Sequence, residues 1–101
     1  MRTSRVEIHP EAFEEMSVAL DWYAERSTRA PVAFLDEIDW AISSILEAPN
    51  RWPVYDGDCR RLILSRFPYF IVYREKIPGL IQILAVAHGR RQPGYWHTRT
   101  L

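Results

Sequence analysis

The 101-residue sequence is poor in several things that would each point to a chemistry. It has one cysteine, Cys59, so no internal disulfide can form, and this fits a reducing compartment. Its four glycines, at 57, 79, 89 and 94, are too scattered to cradle a phosphate. With His9, His88 and His97 spread along the chain, no Cys or His pair has the spacing of a zinc site. No apolar run approaches the ~20 residues of a membrane span. The first ten residues, Met1 to Pro10, lack the apolar stretch of a secretory signal. These absences predict a cytoplasmic domain with no metal and no cofactor. What remains is 48% hydrophobic, which excludes disorder, and the length allows a single domain over 1–101. A chain of this size buries one core but no large enclosed cavity.

Lysine is almost absent too: Lys76 stands against twelve arginines. Thirteen basic and thirteen acidic residues cancel, but they are not mixed. Residues 1–50 hold four arginines against ten acids, a net charge of −6. Residues 51–101 hold eight arginines and Lys76 against Asp56, Asp58 and Glu75, a net charge of +6. Either the two halves neutralise one another in the fold, or the second half offers a basic surface to an anionic partner. Arginine suits the second role because it contacts phosphate and carboxylate bidentately and stacks on aromatic faces. That partner would be a nucleic acid or an acidic protein segment.

The halves also differ in periodicity. Arg5 to Ile8 alternates polar and apolar, as a short strand does. Pro10 suits a first helical position, and Glu11, Glu14 and Glu15 favour the positive end of the helix dipole. Phe13, Met16, Leu20 and Tyr23 make one apolar stripe, predicting a helix over 10–26. A second helix opens at Pro31, with Phe34, Leu35, Ile38, Ala41, Ile42, Ile45 and Leu46 as its expected buried face, and ends before Pro49. The short link between them predicts an antiparallel hairpin. After a loop from Asn50 to Asp58, three strands are predicted: Arg61 to Arg66, Tyr69 to Arg74 and Leu80 to Ala87. Pro78–Gly79 fits the centre of a type II turn. The last strand is the most apolar and is expected at the centre of an antiparallel meander, with the first strand at an edge. The fold class is α+β, in the order β-α-α-β-β-β, a helical hairpin packed on a small antiparallel sheet.

Most single residues read as structure. Cys59 has nothing local to activate it. Asp36 and Asp39 form a solvated helix face, and Trp22 and Trp40 are expected to pack against other elements. The distinctive stretch is His88 to His97, where Arg90 and Arg91 lie beside Tyr95 and Trp96. Such a group could neutralise a phosphate and stack a base, or it could pin the chain's end. Core closure accounts for Trp96 but does not require two arginines.

Taken together, several short motifs resemble the RelE/ParE superfamily of bacterial toxins. They are His9–Pro10–Glu11–Ala12, Asp21–Trp22–Tyr23, Phe34–Leu35, Pro49 with Trp52–Pro53, Arg66–Phe67–Pro68–Tyr69, Ile71–Val72–Tyr73–Arg74 and Ala87–His88–Gly89–Arg90–Arg91. The resemblance runs from about residue 6 to 97. It implies the toxin half of a type II toxin–antitoxin module, in a hetero-oligomer with a cognate antitoxin whose tail folds on the toxin by strand addition or helix-in-groove docking. RelE-like members cut messenger RNA in the ribosome, whereas ParE-like members inhibit DNA gyrase and trap it on cut DNA. Here Phe70 stands where the ribonucleases carry an arginine. Their paired lysines have no counterpart, because Lys76 comes after that strand. Arg90 and Arg91 match the basic pair after the last strand, and Tyr95 matches a C-terminal tyrosine. The resemblance therefore implies a ParE-like gyrase inhibitor rather than an enzyme. Arg90 and Arg91 would contact the target, Arg61, Arg66 and Arg74 would extend the basic surface, and Tyr95 and Trp96 would position the tail. One alternative is a ribosome-dependent mRNA endoribonuclease using His88, Arg90, Arg91 and Tyr95 for acid, base and phosphorane charge. Another is a non-toxic protein-binding module of the same fold.

Overall fold

The computed structural model describes residues 5–91 and 93–99; Gln92, within the distinctive stretch, lies outside them. Seven elements follow one another: β1 Arg5–Ile8, α1 Pro10–Ala24, α2 Ala30–Glu47, β2 Val54–Asp56, β3 Cys59–Ile63, β4 Tyr69–Ile77 and β5 Leu80–His88. The sheet order is β1-β5-β4-β3-β2, with β1 parallel to β5 and the other pairs antiparallel. The fold is α+β, as expected, with one strand more than the sequence pattern predicts.

Local chemistry explains the boundaries. His9 caps α1 by accepting the Glu11 N–H at Nδ1, 3.1 Å away, and Pro10 occupies the first helical turn. Ser27 Oγ accepts the N–H groups of Arg29 and Ala30, both at 3.1 Å, so α2 begins at Ala30. Gly79 takes φ +89° at the predicted turn, the conformation that a type II turn demands at its third position.

Three expectations are corrected. The loop from Asn50 to Asp58 contains β2, a three-residue strand too short to show alternation. The strand expected at 61–66 lies at Cys59–Ile63. Its continuation is lost because the buried Glu37 carboxylate of α2 accepts the Ser65 N–H at 2.5 Å, the Ser65 hydroxyl at 2.7 Å and the Arg66 N–H at 3.3 Å. Thirdly, β4 is central; β5 is its neighbour, flanked by β1, and is apolar because both its faces are covered.

Glu37 thus anchors the β3–β4 turn to α2. Burial alone would raise its pKa, but the bonds from Ser65 and Arg66 and the Arg66 charge outweigh it and hold the carboxyl below its ordinary 4.5. The stability it contributes is therefore complete above pH 4.5 and is lost as the pH falls through the lower folded value. Glu37→Ala strips these N–H groups of their acceptor and should cost about 1–3 kcal/mol, measured by urea unfolding at pH 7. An unchanged midpoint would show that water replaces the carboxylate.

The two sheet faces have separate cores. Leu62, Ile71, Tyr73, Ile81, Ile83 and Val86 meet Ala12, Ala19, Phe34, Ile38, Ala41 and Ile45 of the helices. The other face, with Phe70, Val72, Ala85 and Ala87, has no helix; Trp96 covers it, 1% exposed, against Tyr55 and Tyr95. Cys59 is buried there, and burial followed by the Asp58 charge pushes its thiol up to about 11, so it stays an unreactive thiol at neutral pH. Among the described residues, no helix is long and apolar enough to cross a membrane.

Candidate functional site

Strand β1 pairs with β5 only from Leu80 to Ile83, because the chain leaves the sheet at Pro10 to start α1. Among the described residues, the outer edge of β5 from Leu84 onward is therefore left without a partner strand, a condition that proteins normally blunt. Here two side chains do so. The register between β4 and β5 shifts at Leu84, which stands as the extra residue of a bulge. Its carbonyl accepts from Arg99 Nη1 at 3.0 Å. Two residues on, the Val86 N–H donates to Glu15 Oε1 of α1 at 2.9 Å.

Glu15 is a hub. The same carboxylate accepts both Arg99 nitrogens, at 3.1 and 2.9 Å, and the Tyr95 hydroxyl at 2.7 Å. Burial, then the hydrogen bond and charge of Glu15, push the Tyr95 phenol far above its ordinary 10. Burial works against the charged form of Arg99, but Glu15 outweighs it and the guanidinium pKa is raised. These are charge-assisted bonds in a partly buried place, the strong class.

Between α1 and the end of β5 runs an open groove. One part, about 280 Å³, is lined by Glu14, Glu15, Val18, Tyr69, Val86, His88, Arg91 and Tyr95. The adjoining part, about 260 Å³, shares Val18, Tyr69 and His88 and adds Trp22, Tyr23 and Pro68. A tight turn aims the arginines: the Gly89 N–H donates to the Pro68 carbonyl at 2.8 Å, the Arg91 N–H to the His88 carbonyl at 3.0 Å, and the Arg90 N–H to His88 Nδ1 at 3.1 Å. The Arg91 guanidinium lies 3.9 Å from the Tyr95 ring centre, a cation–π contact.

The structure therefore brings His88, Arg91 and Tyr95 together, with Arg90 exposed and its backbone N–H tied to His88. It does not bring in the other expected arginines. Arg66 pairs with Glu37 at 3.6 Å and lines a separate groove beside Trp40. Arg61 stacks 3.9 Å over Tyr55 on the helix-free face, and Arg74 bonds Gln82 at 2.8 Å and Asp58 at 3.7 Å. Trp96, expected among the target-binding residues, is buried and presents nothing to a partner; its place is to hold the tail. Trp22 stays 50% exposed, packed edge-on against Tyr23 with Arg26 stacked 3.8 Å over it.

The charge asymmetry is partly internal neutralisation, since Glu15–Arg99 and Glu37–Arg66 join the acidic half to the basic one. Among the described residues, no carboxylate pairs with Arg90 or Arg91. Nor do any three His, Cys, Asp or Glu residues among them form a group that could hold a metal. The arrangement can bind an anionic group, but its tyrosine is a poor proton donor. Sequence reasoning missed Glu15 and Arg99, because Glu15 is indistinguishable from its dipole-favouring neighbours and Arg99 lies past the aromatic stretch.

A family model described as ParE toxin of type II toxin–antitoxin system, parDE, matches residues 6–93. The chain belongs to that family. Solved structures agree on the fold: a chain of the chromosomal ParDE TA system from P. aeruginosa superposes with a TM-score of 0.73 at 19% sequence identity, covering 85% of this chain and 96% of that one. No curated protein matches. The β5-end corner of this ParE-family chain, with Arg90, Arg91, His88 and Tyr95, falls almost wholly within the matched residues.

Proposed function

We propose that this ParE-family toxin poisons DNA gyrase, trapping the enzyme on cut DNA, and that a cognate antitoxin neutralises it by covering the β5-end corner. The observation that carries this reading is the Arg90–Arg91 pair: both exposed, without a carboxylate partner among the described residues, and with Arg91 lining the Tyr69–His88–Tyr95 groove. Unpaired arginines on a fixed turn are suited to phosphate or carboxylate on a partner. Two facts speak against the ribonuclease alternative. Phe70, at the strand position where the ribonuclease branch carries arginine, is buried under Arg61. The Tyr95 phenol is tied to Glu15 and holds its proton. The groove beside the pair is apolar at Val18, Tyr69 and Trp22, which suits an antitoxin segment with apolar anchors and acidic neighbours.

Purified chain titrated into gyrase with supercoiled plasmid and ATP should yield linear DNA after detergent and protease. Linear product that requires gyrase is the expected result. Normal supercoiling with no linear product, from a folded sample, would refute the reading and direct attention to ribosome-bound messages.

A further inference from the structure

We propose that Glu15 is the positioning residue of the toxic corner: it does not touch the target, but it fixes the tail that holds Arg91 in place. The inference rests on the gyrase reading only for one of its readouts.

The geometry is a relay of three steps. Glu15 is bolted to the sheet by the Val86 N–H, 2.9 Å from Oε1. It holds the tail at two residues, through the Tyr95 hydroxyl at 2.7 Å and the bidentate Arg99 guanidinium. Tyr95, fixed at its far end, supports Arg91 at 3.9 Å from its ring centre. Arg91 is otherwise a long, exposed side chain, and an unsupported arginine loses rotamer freedom whenever it binds. A guanidinium already held over a fixed ring loses less, which is what preorganisation means for a contact residue. The link is non-local: Glu15 and Arg99 are 84 residues apart. Glu11 also lies 3.7 Å from Arg99 Nη2, but Glu15 is the α1 acid that joins Arg99, Tyr95 and the sheet in one contact.

Packing alone does not explain these contacts. Trp96 already anchors the tail to the helix-free face by apolar burial. The charge of Glu15 is what the arrangement uses, because four donors converge on two oxygens. An amide of the same shape would turn one acceptor into a donor facing Arg99 or Tyr95.

The test is Glu15→Gln, with Tyr95→Phe as companion, read by hydrogen exchange over 93–99 and at Val86, and by the gyrase-dependent linear product. Glu15→Gln should unfold cooperatively and lose tail protection by at least ~10-fold. It should also need at least ~10-fold more protein for the same linear product, as a loss of one charged contact implies. Tyr95→Phe keeps the ring beneath Arg91 and should fall between the variant and the wild type. If Glu15→Gln does not fold, Arg99→Gln opens the same clamp from the tail side. A loosened tail with full potency overturns the proposal, as does lost potency with the tail still protected. Should the wild-type chain give no gyrase-dependent product, the gyrase reading alone fails. Growth arrest on induction then replaces it: arrest lost with tail protection supports the role of Glu15, and arrest retained despite a loosened tail overturns it.

Discussion

Replacing both Arg90 and Arg91 by alanine should abolish growth arrest while leaving the fold intact. Each arginine is taken to make charge-assisted contacts worth about 1.5–3 kcal/mol with the target. Losing both should then weaken binding by roughly 10² to 10⁴ at a factor of ten for each 1.4 kcal/mol. The cost to folding is small. Both side chains are exposed, and the turn is held by backbone groups and by His88, none of which the substitutions remove. The Arg91 contact with Tyr95 is an exposed cation–π pair, worth about 0.5–1 kcal/mol. Arrest on induction and the thermal midpoint of the purified double variant separate the two effects. Undiminished arrest would remove the pair from the functional site. Lysine at both positions should recover only part of the potency, since an ammonium keeps the charge without the planar fork.

The largest stability effect is expected at Trp96. It is the largest side chain with less than 2% exposure, and it covers Phe70, Val72, Ala85 and Ala87, where no helix lies. Trp96→Ala removes this cover and should cost about 3–5 kcal/mol, the range for large aromatics cut back in a core. Against a typical total of about 5–15 kcal/mol, that leaves a marginal protein. Trp96→Phe should be much milder for a specific reason: the Trp96 Nε1–H is buried without an acceptor among the described residues, so its removal offsets part of the lost packing. Urea unfolding of the two variants gives the comparison. A cost below ~1 kcal/mol for Trp96→Ala would mean that the tail contributes little to the second core.

Helices α1 and α2 were legible because long stripes at helical spacing, with proline at their starts, repeat the same signal many times. Strands β4 and β5 were legible from aromatic and β-branched runs, and their turn from Pro78–Gly79. Strand β2 was not, since three residues cannot show a period. The end of β3 was not, because Glu37, 28 residues before Ser65, withdraws its backbone donors. The site divides in the same way. His88, Arg90, Arg91 and Tyr95 are neighbours in sequence and were visible as a cluster. Glu15 and Arg99 meet only in the folded chain. Arg61, Arg66 and Arg74 each have a partner elsewhere, Tyr55, Glu37 and Gln82 respectively, contacts that no run of sequence displays.

The parallel pairing of the first strand with the last has a consequence in time. Arg5 waits for Leu80, and Glu15 for Arg99. During synthesis, α1 and α2 can form early from local contacts, but the sheet edge and the basic corner cannot close until residue 99 has been made. A nascent chain of this design can shape its helices early, yet the corner gains its defined form only once both ends of the 84-residue Glu15–Arg99 span exist.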